Sequence, residues 1–261
     1  MYKPLATGLP QFAEVDHANT GAIAMDSLKR ARCWIEALLI SLGSAAAIWV
    51  CSQLVTRFIP AATSGSDGQR FLLSLTGYVI AEWAFVIALW FVLQNRRSSF
   101  RELGVWRFGT WAGWLVALVF AALSIGSNLR FLPRMGVPIS DAFMPTGFHL
   151  VASLMLGITA GFCEEVLFRG YLMTEFANAG YGKAMQVLIP GLAFGLGHAG
   201  FLNLGIVAWL GIVLPTAFLG MMWGIAYLLG RRSLVPTMVA HFLNDATALP
   251  WLAFMMFTMH R

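Results

Sequence analysis

A handful of ionisable side chains stands in stretches of this chain that are otherwise apolar. Glu164, Glu165 and Arg169 lie in GFCEEVLFRGYL, His198 ends the run AFGLGH, and His241, Asn244 and Asp245 lie in AHFLNDAT. Charge at membrane depth is costly, so such residues are read first as functional. Two carboxylates, two imidazoles and a terminal Asp or Asn can do water chemistry. A desolvated Glu beside a His can hold a water and take its proton. A second His, oriented by an acid or amide on its own helix, can donate to a developing oxyanion. That makes a hydrolase constellation without a Ser or Cys nucleophile. The same donors leave a metal reading open: Zn²⁺ held by Glu164, His198 and His241, a His₂Glu set, although the usual H-E-x-x-H helix is absent. The bland reading is a buried ion pair that fixes helix packing, since structural networks occur at such depth too.

Helical spacing predicts who meets whom. Glu165 and Arg169 are at i and i+4 and share a face, as do His241 and Asp245. Glu164, offset from Glu165 by about 100°, is expected to face elsewhere. Gly157, Gly161 and Glu164 form one stripe, and Gly191, Gly195 and His198 another with the same spacing. Gly220 and Gly224 are a third small-residue pair. Such stripes let helix backbones approach closely in lipid. A turn at Ala179-Gly180-Tyr181-Gly182 places Glu164 and His198 level across an antiparallel hairpin, because 181 is midway between them. For these two to meet His241, the hairpin must project beyond the membrane surface, which Glu175, Asn178 and Lys183 at its tip permit.

The elements that position these residues follow from composition. Of 261 residues 59% are hydrophobic and 11% charged, with a mean hydropathy of +0.73. That excludes a soluble globule and a disordered chain and leaves an all-α, polytopic transmembrane bundle. Charge-poor runs of about 20 residues mark the spans: Ala37 to Thr56, Phe71 to Asn95, Phe108 to Leu129, Ala142 to Cys163, two within Ala184 to Gly230, and Ser233 to His260. The simplest count is seven helices, or eight if a long run splits. Twelve Lys and Arg fall in alternate loops with the N-terminus and five in the others. That bias puts the N-terminus in the cytosol, and the net charge of +5 needs no nucleic acid to explain it. The chain divides into a cytosolic tail (1–32), N-terminal membrane helices (33–140) and a catalytic transmembrane core (141–261). Cys33, Cys51 and Cys163 read as packing residues. Glu82 reads as a packing carboxylate paired with a Ser or a Trp N–H, and Glu36 as an interfacial residue. Phe194, one turn before His198, reads as core. His17, His149 and His260 carry no assigned role.

The order E-E-x-x-x-R (Glu164, Glu165, Arg169), F-x-x-x-H (Phe194, His198) and H-x-x-x-N/D (His241, Asp245) resembles the CAAX prenyl endopeptidase and bacteriocin-processing family of intramembrane proteases, often called CPBP or Abi. Phe218, Gly220 and Gly224 lie between the last two motifs as in the family, and the resemblance covers roughly Ala152 to Pro250. It implies peptide-bond hydrolysis inside a membrane near the cytosolic face. Glu164 would activate water with His198, and His241 with position 245 would form the oxyanion site. Glu165 and Arg169 would be supporting residues. An ionised Asp245 cannot donate a hydrogen bond, so either it is protonated or it orients His241 while Asn244 supplies an amide. The implied partners are the lipid bilayer and a peptide substrate, prenylated or leader-containing, and the implied location is a bacterial plasma membrane. Two other functions fit polar groups at this depth: a proton-coupled transporter, which internal repeats would favour and none is seen, and a non-catalytic membrane partner of the same fold.

Overall fold

The computed structural model describes residues 17–198 and 205–259, without the side chains of residues 17–25, 62 and 63. The first half of the predicted tail, residues 199–204 and His260 fall outside it. Every regular element among the described residues is helical, as expected where no water is present to satisfy backbone groups. The long elements are α1 (His17–Phe58), α2 (Asp67–Asn95), α3 (Trp111–Leu129), α4 (Gly147–Asn178), α5 (Lys183–Leu196), α6 (Ile206–Leu229), α7 (Val235–Ala246) and α8 (Leu249–Met259). Among the described residues, five segments are long and apolar enough to cross a membrane: Asp26–Phe58, Asp67–Asn95, Trp111–Met135, Gly147–Asn178 and Ile206–Leu229. The chain is a multi-pass helical membrane bundle.

The last predicted span is split. α7 stops at Ala246, Thr247 leaves helical geometry (φ −88, ψ −93), and α8 restarts at Leu249. The two pieces together run the length of α2. Leu234 N–H, at the start of α7, donates to Gly104 O in the α2–α3 loop (3.1 Å), whereas Phe254 and Phe257 of α8 touch Phe71 in the first turns of α2. One crossing is thus built from two short helices. The α2–α3 loop can approach the α6–α7 turn this closely because residue 104 is glycine: its φ is +95, and an added Cβ would collide with Arg232 O.

The glycine stripes face where close approach is needed. A Cβ on Gly161 would sit 2.9 Å from Met238 O, and one on Gly157 2.8 Å from the Phe242 ring, so this stripe seats α4 on α7. Gly191 and Gly195 meet Met221 and Ala217 of α6 in the same way. The α4–α5 hairpin keeps the predicted register: the rings of Phe168 and Phe194, equidistant from Tyr181, are 5.3 Å apart. Its tip, however, is tied down. Glu175 receives Arg32 (3.4 Å) and Arg96 (3.0 Å), and Glu36 receives Arg32, Arg96 and Tyr171 Oη–H, so α1, α2 and α4 are clamped together at that end.

Candidate active site

The polar motif of α4 lies in a π-helical stretch, Ala160–Leu172, between two α-helical segments. Such wide turns inside α-helices occur often at functional sites. Glu164 and Glu165 leave this stretch as neighbours and meet the His241 ring at different nitrogens. Both carboxylates reach the His241 ring. Glu165 Oε1 is 2.9 Å from Nδ1, and Glu164 Oε2 is 3.7 Å from Nε2. Asp245 Oδ2, one turn along α7, lies 3.6 Å from the same Nε2.

Beneath this cluster sits the predicted i, i+4 pair. Arg169 Nη1 donates to Glu165 Oε1 (2.8 Å) and Nη2 to Gly220 O (3.2 Å). Their side chains are 2% and 0% exposed, so the bond is dry. The guanidinium also lies 4.3 Å from the Phe194 ring centroid and 5.5 Å from that of Trp223. Gly220 is where α6 can offer a carbonyl this near, since a Cβ there would strike Phe194 at 2.7 Å. Glu165 therefore spans a fixed cation and an imidazole, and it fixes the ring plane of His241. Trp223 packs on the other side of that ring, with centroids 4.5 Å apart.

His198 follows the last turn of α5. Its Nδ1 lies 3.2 Å from Phe194 O, a contact that puts a proton on Nδ1 and leaves the lone pair of a neutral ring on Nε2. Phe194 stands between the two imidazoles, its ring centroid 5.6 Å from His198 and 5.7 Å from His241. The predicted core phenylalanine thus also spaces the two histidines. The His198 ring is within electrostatic range of the Glu164 carboxylate. Asn244 is buried beside Asp245 and donates its Nδ2 to Asp245 Oδ1 (2.7 Å), so its amide braces the neighbouring carboxylate.

Glu164, Glu165, Arg169, His198, His241, Asn244 and Asp245 therefore gather at one place. Two further neighbours come from α2: Tyr78, which the sequence did not single out, and Glu82, which it read as a packing carboxylate. Tyr78 of α2 donates its Oη–H to Glu164 Oε1 (3.1 Å). Glu82, one turn further along α2, is 3% exposed and lies within electrostatic range of Glu164 and His241. It has neither the Ser nor the indole partner expected for it: Oε2 bonds nothing among the described residues. The Tyr78/Glu82 pair at i and i+4 in an apolar span was the available signal.

The zinc reading meets these donors badly. Among the described residues no three His, Cys, Asp or Glu side chains converge as metal ligands.

All seven predicted residues lie between Phe148 and Phe242 or a turn beyond. Residues 145–247 match the family model Type II CAAX prenyl endopeptidase Rce1-like. The family suggested by the three motifs is the family matched. No curated protein and no solved structure matches the chain. The Rce1-like stretch runs from just before α4 to just past α7 and holds every residue of the three motifs. Helices α1, α2, α3 and α8, and with them Tyr78 and Glu82, lie outside it.

Proposed function

We propose that this protein is an intramembrane endopeptidase that hydrolyses a peptide bond of a membrane-associated, hydrophobic or prenylated peptide with water activated by glutamate and histidine. The observation that carries this reading is the convergence of Glu164, Asp245 and Glu165 on His241, with His198 beside Glu164.

In this mechanism Tyr78 occupies Glu164 Oε1, so Oε2 and His198 Nε2 are the atoms that hold the attacking water. Glu164 takes the proton as the water oxygen bonds to the scissile carbonyl carbon. The carbonyl π electrons move onto oxygen. His241 has Nδ1 committed to Glu165, and as an imidazolium it donates from Nε2 to that oxyanion; one such donor is worth about 10²–10³ in turnover. Collapse of the tetrahedral intermediate expels the amine, which takes the proton carried by Glu164 or His198. Arg169 balances the charge of Glu165 so that this carboxylate can orient His241 without competing for the water. No step uses a metal, in keeping with the donor geometry.

The segment 141–261 acts as the catalytic core, 33–140 as the supporting helices and 1–32 as a cytosolic tail. The N-terminus faces the cytosol of a bacterium, with the arginine-rich loops on the same side of the plasma membrane. The experiment compares peptides released from membranes of wild-type and Glu164→Gln cells, with and without a chelator. Peptides that wild type releases should be missing from Glu164→Gln and unaffected by chelation. Release of the same peptides by Glu164→Gln would refute the glutamate mechanism, and loss on chelation would return zinc to the site.

A further inference from the structure

The three motifs account for α4, α5 and α7, but Glu164 has a fourth neighbour on a helix that the family match does not reach. Tyr78 is in the middle of α2, and its Oη lies 3.1 Å from Glu164 Oε1. We infer that Tyr78 is a positioning residue for Glu164: its hydroxyl holds one carboxylate oxygen, fixes the carboxylate plane and leaves the other oxygen to face His241 and the water. This rests on the proposed peptidase reading and extends it to the first half of the chain.

Three observations support the assignment. First, Glu164 is otherwise poorly held. Its Oε2 approaches His241 Nε2 only to 3.7 Å, beyond hydrogen-bond length, so Tyr78 supplies the one short side-chain bond found for this carboxylate among the described residues. Second, α2 is fixed in position by packing unrelated to the site. Its N-terminus carries a capping box, Ser66 with Gln69. Gly77, next to Tyr78, is seated against Ser52 of α1, where a Cβ would meet the backbone N at 2.7 Å. A ring carried on so constrained a helix can aim its hydroxyl with little freedom. Third, the polar face continues one turn on. Glu82 is buried with Oε2 unpartnered and within electrostatic range of Glu164 and His241. A face built only for packing would not bury an unpaired carboxylate.

The test uses the full-length protein in detergent, a farnesylated fluorogenic CAAX peptide as probe, and four proteins: wild type, Tyr78→Phe, Glu164→Ala and the double variant, with Glu164→Gln as the catalytic control. Tyr78→Phe removes the donor and keeps the ring. It should lower kcat about 10- to 100-fold, the range for losing one hydrogen bond to a charged group, with KM unchanged. The melting-temperature losses of Tyr78→Phe and Glu164→Ala should fail to add, because each removes the same contact. Unchanged kcat in Tyr78→Phe overturns the inference, as do additive melting-temperature losses or a fall in kcat/KM that lies wholly in KM. If wild type does not cleave the probe, the prenylated-substrate reading fails and the melting-temperature cycle alone decides for Tyr78; if Glu164→Gln cleaves it as fast as wild type, the glutamate mechanism fails. That result is separate from Tyr78→Phe matching an active wild type.

Discussion

Replacing Arg169 with Met should destabilise the protein by about 3–5 kcal/mol, the range for breaking a buried ion pair by removing one partner. The magnitude follows from what stays behind. Glu165 is fully buried and would lose its permanent cation, with His241 Nδ1 left as its short charged partner. Gly220 O would lose the Arg169 Nη2 donor, and the Phe194 face would lose a guanidinium at 4.3 Å, itself worth up to about 2 kcal/mol when dry. Domains of ordinary stability hold about 5–15 kcal/mol, so the single variant should fold at low yield. The melting temperature in detergent should fall by about 6–20 °C at 2–4 °C per kcal/mol. Arg169→Lys keeps the charge but cannot serve Glu165 and Gly220 together, and should fall between. The decisive protein is the double variant Glu165→Gln/Arg169→Met. Gln keeps an oxygen for His241 Nδ1–H and buries no charge, so most of the lost stability should return. The assay is the melting temperature of purified protein in one detergent, alongside the fraction that elutes as a single species. If Arg169→Met melts within about 3 °C of wild type, or if the double variant is no more stable than the single, Glu165 is not a buried anion held by Arg169.

Two further predictions concern the seat of α7 and its last polar residue. Gly161→Val should lose about 1–3 kcal/mol by overpacking, because its Cβ would lie 2.9 Å from a backbone carbonyl of α7; Gly126→Ala, with open space around it on α3, should be neutral or stabilising in the same melting assay. Equal effects at both positions would refute the α4–α7 contact. Asp245→Asn should hold kcat within about 10-fold, since an amide can still accept from Asn244 and donate toward the reacting oxygen, whereas Asp245→Leu should lose about 10²–10³. Equal loss in both would make Asp245 a counter-ion of His241 and remove it from the oxyanion site.

Much of this site was legible because helices have a fixed pitch. The Glu165–Arg169 and His241–Asp245 pairs follow from i, i+4 spacing and the 168/194 register from the turn. Counting failed for the meeting of Glu164 and Glu165 at one imidazole, which depends on how α7 packs against α4, and nothing in GFCEEVLFRGYL announces the π-helical turns. It failed also where a contact is long-range and its signal is one residue. Tyr78 is an ordinary residue in an apolar span until α2 is placed against α4. The split of the last span was half visible: the run was long, but its break at Thr247 needs the packing of α8 on Phe71, Phe148 and His149 to be seen. Glu175 was placed at the hairpin tip, but its two arginine partners, Arg32 and Arg96, come from distant parts of the chain and were not read from the sequence.

The lengths of α5 and α7 explain why a water reaction could take place at this depth. α5 has 14 residues and α7 has 12, or about 21 Å and 18 Å, against a hydrocarbon thickness of about 30 Å. Neither crosses alone, and both end at the site: His198 follows the last turn of α5, and Asp245 lies in the last turn of α7. A helix C-terminus presents carbonyls without intrahelical partners. Such backbone is tolerated at membrane depth only inside protein or beside water. Two converging C-termini therefore demand polar surroundings, and their partial negative charge favours the cationic form of an imidazole nearby. In the proposed mechanism, the break that interrupts the last span at Thr247 would also admit water and ready His241 to stabilise an oxyanion. Two uninterrupted helices would satisfy the bilayer better, and they would leave no room for the reaction.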